Sequence, residues 1–314
     1  MVWYAGRRLL SGVVVFLLVS GLSFVLFYAR GGDAIARNFL GATSTAAEAH
    51  AAAVRLGLDR PLYIQYGDWL LGLTHGDLGS SLGTGAPVTV LLGTRIPVTL
   101  SLVLLTMLIT IVIGILVGVF AAVRGGVLDR IVQVASVILG ALPGYWIALI
   151  LVVVFSLNLR LLPATGFIPL TTSLAGWLST TILPAVSISL GAVLGLAVWV
   201  RSAIIDVQKK DFVRTLRSRG LSYPRIMFVH VMRNAAAPII QMLGLQLIAL
   251  LGGAIIVERV FALPGVGSLA LDSGTTGDVP VVLGCVTFLV AVVVVTNLIV
   301  DLVNGFLNPR VRLA

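Results

Sequence analysis

Apolar residues in this chain gather into long unbroken runs rather than at alternating or helical spacing. Six runs carry no charge and are long enough to cross a hydrocarbon layer of about 30 Å, which takes roughly 20 helical residues. They span residues 9–29, 98–123, 131–157, 182–200, 234–257 and 279–300. Backbone groups in lipid have no water to bond, so each run must close its hydrogen bonds internally as a helix. The runs are too long for barrel strands of about 9–11 residues. The pattern therefore predicts an all-α membrane protein with six transmembrane helices. Pro143 should kink the third. Three G-x-x-x-G pairs, Gly114/Gly118, Gly140/Gly144 and Gly191/Gly195, would let helices approach closely. The first run has 21 residues, longer than the apolar stretch of a signal peptide, and is read as a retained helix.

The polar segments between the runs set the orientation. Arg7 and Arg8 precede the first run, Arg124 and Arg130 flank the turn after the second, eight cations lie between Arg201 and Arg233, and Arg310 and Arg312 follow the last. That places fourteen of the 21 cations on one side, so both termini are expected in the cytoplasm. The opposite face then carries one large region, residues 30–97. In it Thr45 and Glu48 form a capping box, Gly57 can end the helix that follows, and Asp59-Arg60-Pro61 can start another through Tyr63, Tyr66 and Trp69.

The segment 211–240 is the sharpest break in the apolar pattern. Centring its five arginines (214, 217, 219, 225 and 233) in a bilayer would cost about 12–17 kcal/mol, so it lies outside. Asp211 can cap a short helix that Gly220 ends, and Ser222 with Pro224 can start a second, giving a helix–turn–helix elbow. Phe212, Val213 and Leu216 form an apolar stripe among the arginines, which requires a partner, either lipid headgroups or a soluble protein.

Composition agrees: mean hydropathy is +1.11. The chain is 59% hydrophobic and 11% charged, with 34 glycines. The formal charge of +9 follows the cytoplasmic loops, so it does not imply a nucleic-acid partner. Cys285 is the single cysteine and excludes an intrachain disulfide. The G-x-S-x-G match at 79–83 lacks the preceding strand and later partners that a Ser81 nucleophile needs. The glycines at 265–267 follow Pro264 in an expected loop, with no strand before them for a dinucleotide site. Lys209 and Lys210 are the only lysines and neither closes a phosphate loop, so the chain is not expected to hydrolyse ATP, bind a cofactor or act as an enzyme. The runs hold no Asp, Glu or His relay of the kind a proton-driven carrier uses. Asp301 lies just beyond the last run and is read as a helix or interface contact. Ser101, Thr106, Thr110, Gln241 and Gln246 are the candidates for lining an aqueous path, with helix–helix hydrogen bonding as the alternative.

The run Arg214-Thr215-Leu216-Arg217-Ser218-Arg219-Gly220-Leu221, followed by Arg233-Asn234-Ala235-Ala236-Ala237-Pro238, resembles the EAA-type loop of ABC importer permeases of the dipeptide/oligopeptide group. Further resemblances are RRLL at 7–10, LGLDRPLYIQY at 56–66, GDLGSS at 76–81, LPATG at 162–166, VERVFALPGVG at 257–267 and NPRVR at 308–312. Leu216 replaces the usual alanine, Asn308 stands where Asp is usual, and the stretch ARGGDAI at 29–35 lacks a proline common after Gly-Asp. The short N-terminus and large first outer region resemble the first of two paired permeases, the dipeptide permease B type.

The resemblance implies a type I importer permease in the plasma (inner) membrane. Residues 1–95 would form the first helix and outer region, 96–308 the permease domain with a coupling loop at 206–236, and 309–314 a short tail. It further implies a heterodimer with a second permease, two ATPases holding ATP-Mg, an extracytoplasmic binding protein, and a di- or oligopeptide substrate. Phe212, Val213, Arg214, Thr215, Leu216, Arg217, Gly220, Leu221 and Ser222 would dock the ATPases. Relatives that carry nickel or another small solute are the alternative, and a stand-alone channel or secondary carrier is the reading from a different class.

Overall fold

The computed structural model describes residues 2–29, 31–41 and 44–307. The tail at 309–314 with Arg310 and Arg312, Asn308, Arg30 and the side chain of Arg8 lie outside the described residues. In chain order the helices are α1 (Val2–Tyr28), α2 (Gly32–Leu40), α3 (Ala46–Arg55), α4 (Leu62–Thr74), α5 (Val88–Arg124), α6 (Gly126–Ala141) and α7 (Gly144–Leu151). They continue with α8 (Leu174–Gln208), α9 (Asp211–Ser218), α10 (Tyr223–Arg225), α11 (Met232–Val260), α12 (Val266–Thr276) and α13 (Val279–Leu307). Two π-helical turns, Val152–Asn158 and Ile226–Val231, follow α7 and α10.

Among the described residues, five helices are long and apolar enough to cross a membrane: Leu9–Tyr28, Val88–Arg124, Leu174–Gln208, Tyr223–Val260 and Val279–Phe306. The third run, which would be a sixth span, is a broken pair, Gly126–Ala141 and Gly144–Asn158, bent by 95°. The break is sharper than the expected kink, and its cause is local. Pro143 disfavours helical geometry at the residue before it, and Leu142 is extended at φ −80° and ψ 130°. Helices also outrun the apolar runs, because α5 begins at Val88 and carries Arg95 and Pro97 within it.

The chain divides into two compact units, one centred on residues 100–263 and one on residues 6–99 and 264–294. In the second, Phe24, Ile35, Ala36, Ala53, Leu58, Val279 and Leu283 form a buried cluster. The Tyr66 hydroxyl lies 2.9 Å from Ser20 Oγ, which anchors α4 against α1. The capping box is present: Thr45 Oγ1 accepts from the Glu48 N–H, and Glu48 accepts from the Thr45 N–H at 2.8 Å. Those bonds to Thr45 hold the exposed Glu48 carboxyl below its ordinary pKa. Gly57 takes φ +67° just past the end of α3.

The same unit explains the segment at 79–83. Asp278 is buried and accepts from Ser81 Oγ at 2.5 Å, the Leu82 N–H at 3.0 Å and the Gly83 N–H at 3.4 Å. Ser81 Oγ in turn accepts from the Thr84 N–H at 3.0 Å. These bonds tie a loop to the turn before α13. The glycine-rich stretch at 265–270 is the first turn of α12 rather than a loop, and the Val266 N–H is held by Thr99 Oγ1 at 2.8 Å.

In the first unit, α5 meets α8 through glycine. A Cβ on Gly118 would lie 2.6 Å from the Ala197 carbonyl oxygen, and one on Gly114 would lie 3.0 Å from Leu196. Of the three glycine pairs, only this one makes a close approach. Gly140, Gly144 and Gly195 have nothing within 4 Å of an added Cβ, and the break at Leu142–Pro143 divides the middle pair.

Candidate functional site

The elbow expected at 211–222 is present, with two corrections. Lys210 rather than Asp211 occupies the N-cap of α9; Asp211 is the first helical residue and makes no side-chain cap. The second half is also not a separate short helix. Ser222 is the N-cap of α10, which runs through the π turn into α11 as one candidate span, Tyr223–Val260. The elbow is thus one short helix and a tight turn leading directly into a span.

Gly220 sits just past the α9 C-cap Arg219 at φ +80°. Its N–H donates to the Arg217 carbonyl at 2.9 Å, and the Leu221 N–H donates to the Leu216 carbonyl at 3.3 Å. This is the paired Schellman pattern, which stops a helix by a left-handed residue and satisfies its last carbonyls. It usually carries an apolar contact across the turn, and here Leu216 and Leu221 pack into one cluster. Leu216, the departure from alanine, enlarges that contact.

The apolar stripe has its partner inside the chain. Val213 is 1% exposed and belongs to a core with Ile204, Val207, Ile226, Met227 and Val231, against which Phe212, Leu216 and Leu221 pack. Arg214, Thr215, Arg217, Gly220 and Ser222 face outward. Asp211 in the first turn and Arg217 in the last both favour the α9 dipole. What α9 presents to its surroundings is therefore a cationic face on a rigid base.

The five path candidates separate. Thr106 and Thr110 are fully buried, and their hydroxyls donate to the Leu102 and Thr106 carbonyls at 2.7 and 2.8 Å. They serve their own helix, neither crossing to another nor opening onto a surface. Ser101 and Gln246 are half-buried, and Gln241 is exposed. Sequence reasoning missed the pairing of Asp129 with Arg201, whose Nη2 reaches Asp129 Oδ2 at 2.5 Å while its Nε bonds Oδ1. The signal available was a lone acid beside a charge-free run, opposite a cation ending another.

With this geometry in place, likeness to known proteins is decisive. The family described as the binding-protein-dependent transport system inner membrane component matches residues 114–313. The chain belongs to that family. The N-terminal family of the same transport systems' membrane components matches residues 1–103. The chain is 34% identical over 316 residues to the oligopeptide transport system permease protein AppB of Bacillus subtilis (strain 168), covering 99% of this chain and 100% of that one. It is 36% identical to the di/tripeptide transport system permease protein DppB of Pseudomonas aeruginosa (strain UCBPP-PA14), with 99% of each covered. The dipeptide transport system permease protein DppB of Escherichia coli (strain K12) is 32% identical, again with 99% of each covered. Among solved structures, a chain of the inward-facing MetNI methionine ABC transporter superposes with a TM-score of 0.55 at 18% identity, covering 70% of this chain and 97% of that one. This transport component therefore shares its helical fold with a chain of an ABC transporter and is a multi-pass inner-membrane protein.

Proposed function

We propose that this chain is one of two permease subunits of an ATP-driven importer for short peptides. Its relatives are peptide permeases along their whole length, and that full-length identity carries the reading. In the proposed assembly a second permease completes the path, a binding protein delivers substrate from outside, and two ATPases holding ATP-Mg dock on the elbow. The chain contributes no catalytic group of its own. Both termini and the elbow face the cytoplasm, as the cation asymmetry favours.

The elbow's construction supports the docking role. A ligand shifts an equilibrium only by its differential affinity for the two states, so nucleotide-driven closure must reach the spans through a stiff contact. The buried Val213 and the Schellman turn provide that stiffness. Ser101, Gln241 and Gln246 are the polar side chains left to line the path, which suits a carrier of varied side chains that carries no fixed charge of its own.

The test is reconstitution in proteoliposomes with the neighbouring-gene permease, ATPases and binding protein. Di- and tripeptides should accumulate with ATP, and loaded binding protein should raise hydrolysis. Uptake of nickel but not peptide would reassign the cargo. Peptide uptake by this chain alone, without ATP, would replace the importer reading with a channel.

A further inference from the structure

The bent third run has an unexplained polar attachment. Asp129 stands in the first turn of α6, and Arg201 lies about two turns before the end of α8. Arg201 donates through Nε and Nη2 to both carboxylate oxygens, and Gln133 Nε2 adds a third donor to Asp129 Oδ1 at 2.9 Å. The two side chains are 24% and 15% exposed, so the pair is partly withdrawn from water.

A planar guanidinium gripping both oxygens fixes orientation as well as distance, which a lysine could not do. Partial burial also lessens screening by salt. The apolar seat of α6 is small by comparison. Val132 is its one buried residue, clustered with Ala121 and Ala197, while Val127, Ile131, Val134, Val137 and Ile138 remain exposed. Ala135 and Leu139 are half-buried, and the Leu139 carbonyl lies 3.9 Å from a Cβ placed on Gly191, so α6 runs along α8 and the forked pair adds a directional polar constraint to that contact.

We infer that Asp129 and Arg201 are positioning residues that lock α6 to the elbow-bearing helix α8, so that the two move as one body during transport. Motion received at α9 passes along α8, crosses the fork and reaches the break at Leu142–Pro143, with α6 as a lever of about 24 Å. The inference rests on the importer reading for its purpose, though the lock itself is a property of the chain.

The experiment uses the reconstituted assembly with Cys285→Ala and spin labels at Lys209→Cys and Val137→Cys. Otherwise unaltered, the label separation should stay narrow and equal in the nucleotide-free and ATP-trapped states. In Asp129→Asn it should broaden and differ between the states, and ATP consumed per peptide should rise roughly 5-fold or more. The exchange Asp129→Arg/Arg201→Asp should restore much of both. Arg201→Lys keeps the charge but not the fork, and should assemble normally with raised ATP consumption per peptide. Unchanged separation and unchanged ATP per peptide in Asp129→Asn, or in Arg201→Lys if the former does not assemble, would overturn the lock. Absence of ATP-driven uptake in the parent assembly would instead remove the importer reading, while the label distances would still report on the lock.

Discussion

The Leu221 N–H donates to the Leu216 carbonyl across Gly220, and the two leucines pack into the core that also buries Val213. One turn of backbone thus sets both where α9 ends and how it is aimed. Gly220 holds φ +80° with open space where a Cβ would project, so only backbone strain opposes a substitution.

Gly220→Val should therefore cost about 1–2 kcal/mol at the turn while leaving the spans inserted. The expected result is normal pairing with the second permease and weakened ATPase capture or uncoupled hydrolysis. Co-purification and peptide uptake are the measurements, and Gly220→Asn should be milder because Asn tolerates the left-handed region.

Arg214→Glu/Arg217→Glu reverses two exposed charges without touching the core. Thermal stability in detergent should stay within about 0.5 kcal/mol of the parent, as for surface changes generally, while ATPase co-purification falls. Retention of full binding would leave α9 as an interfacial helix only.

Gly118 and Gly195 look equivalent as members of small-residue pairs, yet they should respond oppositely. Gly118→Leu forces a side chain into the Ala197 carbonyl and Val200, costing about 1–3 kcal/mol or more, whereas Gly195→Leu meets open space. Melting of the two purified variants distinguishes them.

Asp278→Ala leaves the buried Ser81 hydroxyl without its acceptor, at about 1–3 kcal/mol, and the less buried Leu82 and Gly83 N–H groups lose theirs at a smaller cost. The loop at 79–85 should become sensitive to protease added from the outer side. Ser81→Ala should show a smaller effect, with transport largely kept.

Ala262 follows the α11 C-cap Phe261 at φ +49°, and the Leu263 N–H donates to the Glu258 carbonyl at 2.8 Å. This is the Gly220 motif with alanine in the glycine's place. Ala262→Gly should relieve strain and stabilise the chain by about 0.5–1 kcal/mol, net of the entropy glycine adds to the unfolded state. A higher melting temperature with unchanged transport is the expected outcome.

Spans and punctuation were legible in the sequence because their causes are local. A charge-free run, the Thr45–Glu48 box, Gly57 and Gly220 each act within a turn or two of chain. Pro143 announced a disturbance but not its size, since a kink that keeps Leu142 helical and a break that extends it begin from the same residues. Pairings of residues remote in sequence were not legible. Nothing local shows that Asp278 would receive Ser81, that Arg201 would find Asp129, or which glycine pair has a neighbour. The inward turn of Val213 was missed for the same reason: an amphipathic helix declares that its apolar face needs cover, but not whose.

That inward turn has a kinetic consequence. With Phe212, Val213 and Leu216 committed to the chain's own core, an attachment to α9 rests largely on Arg214, Arg217 and Arg219. Exposed charge pairs hold weakly, at about 0–1 kcal/mol each, and physiological salt screens them beyond about 8 Å. They nevertheless steer a partner in quickly, so association is fast and hold time short. On the importer reading, the ATPases should associate quickly, and their residence time on α9 should shorten as ionic strength rises.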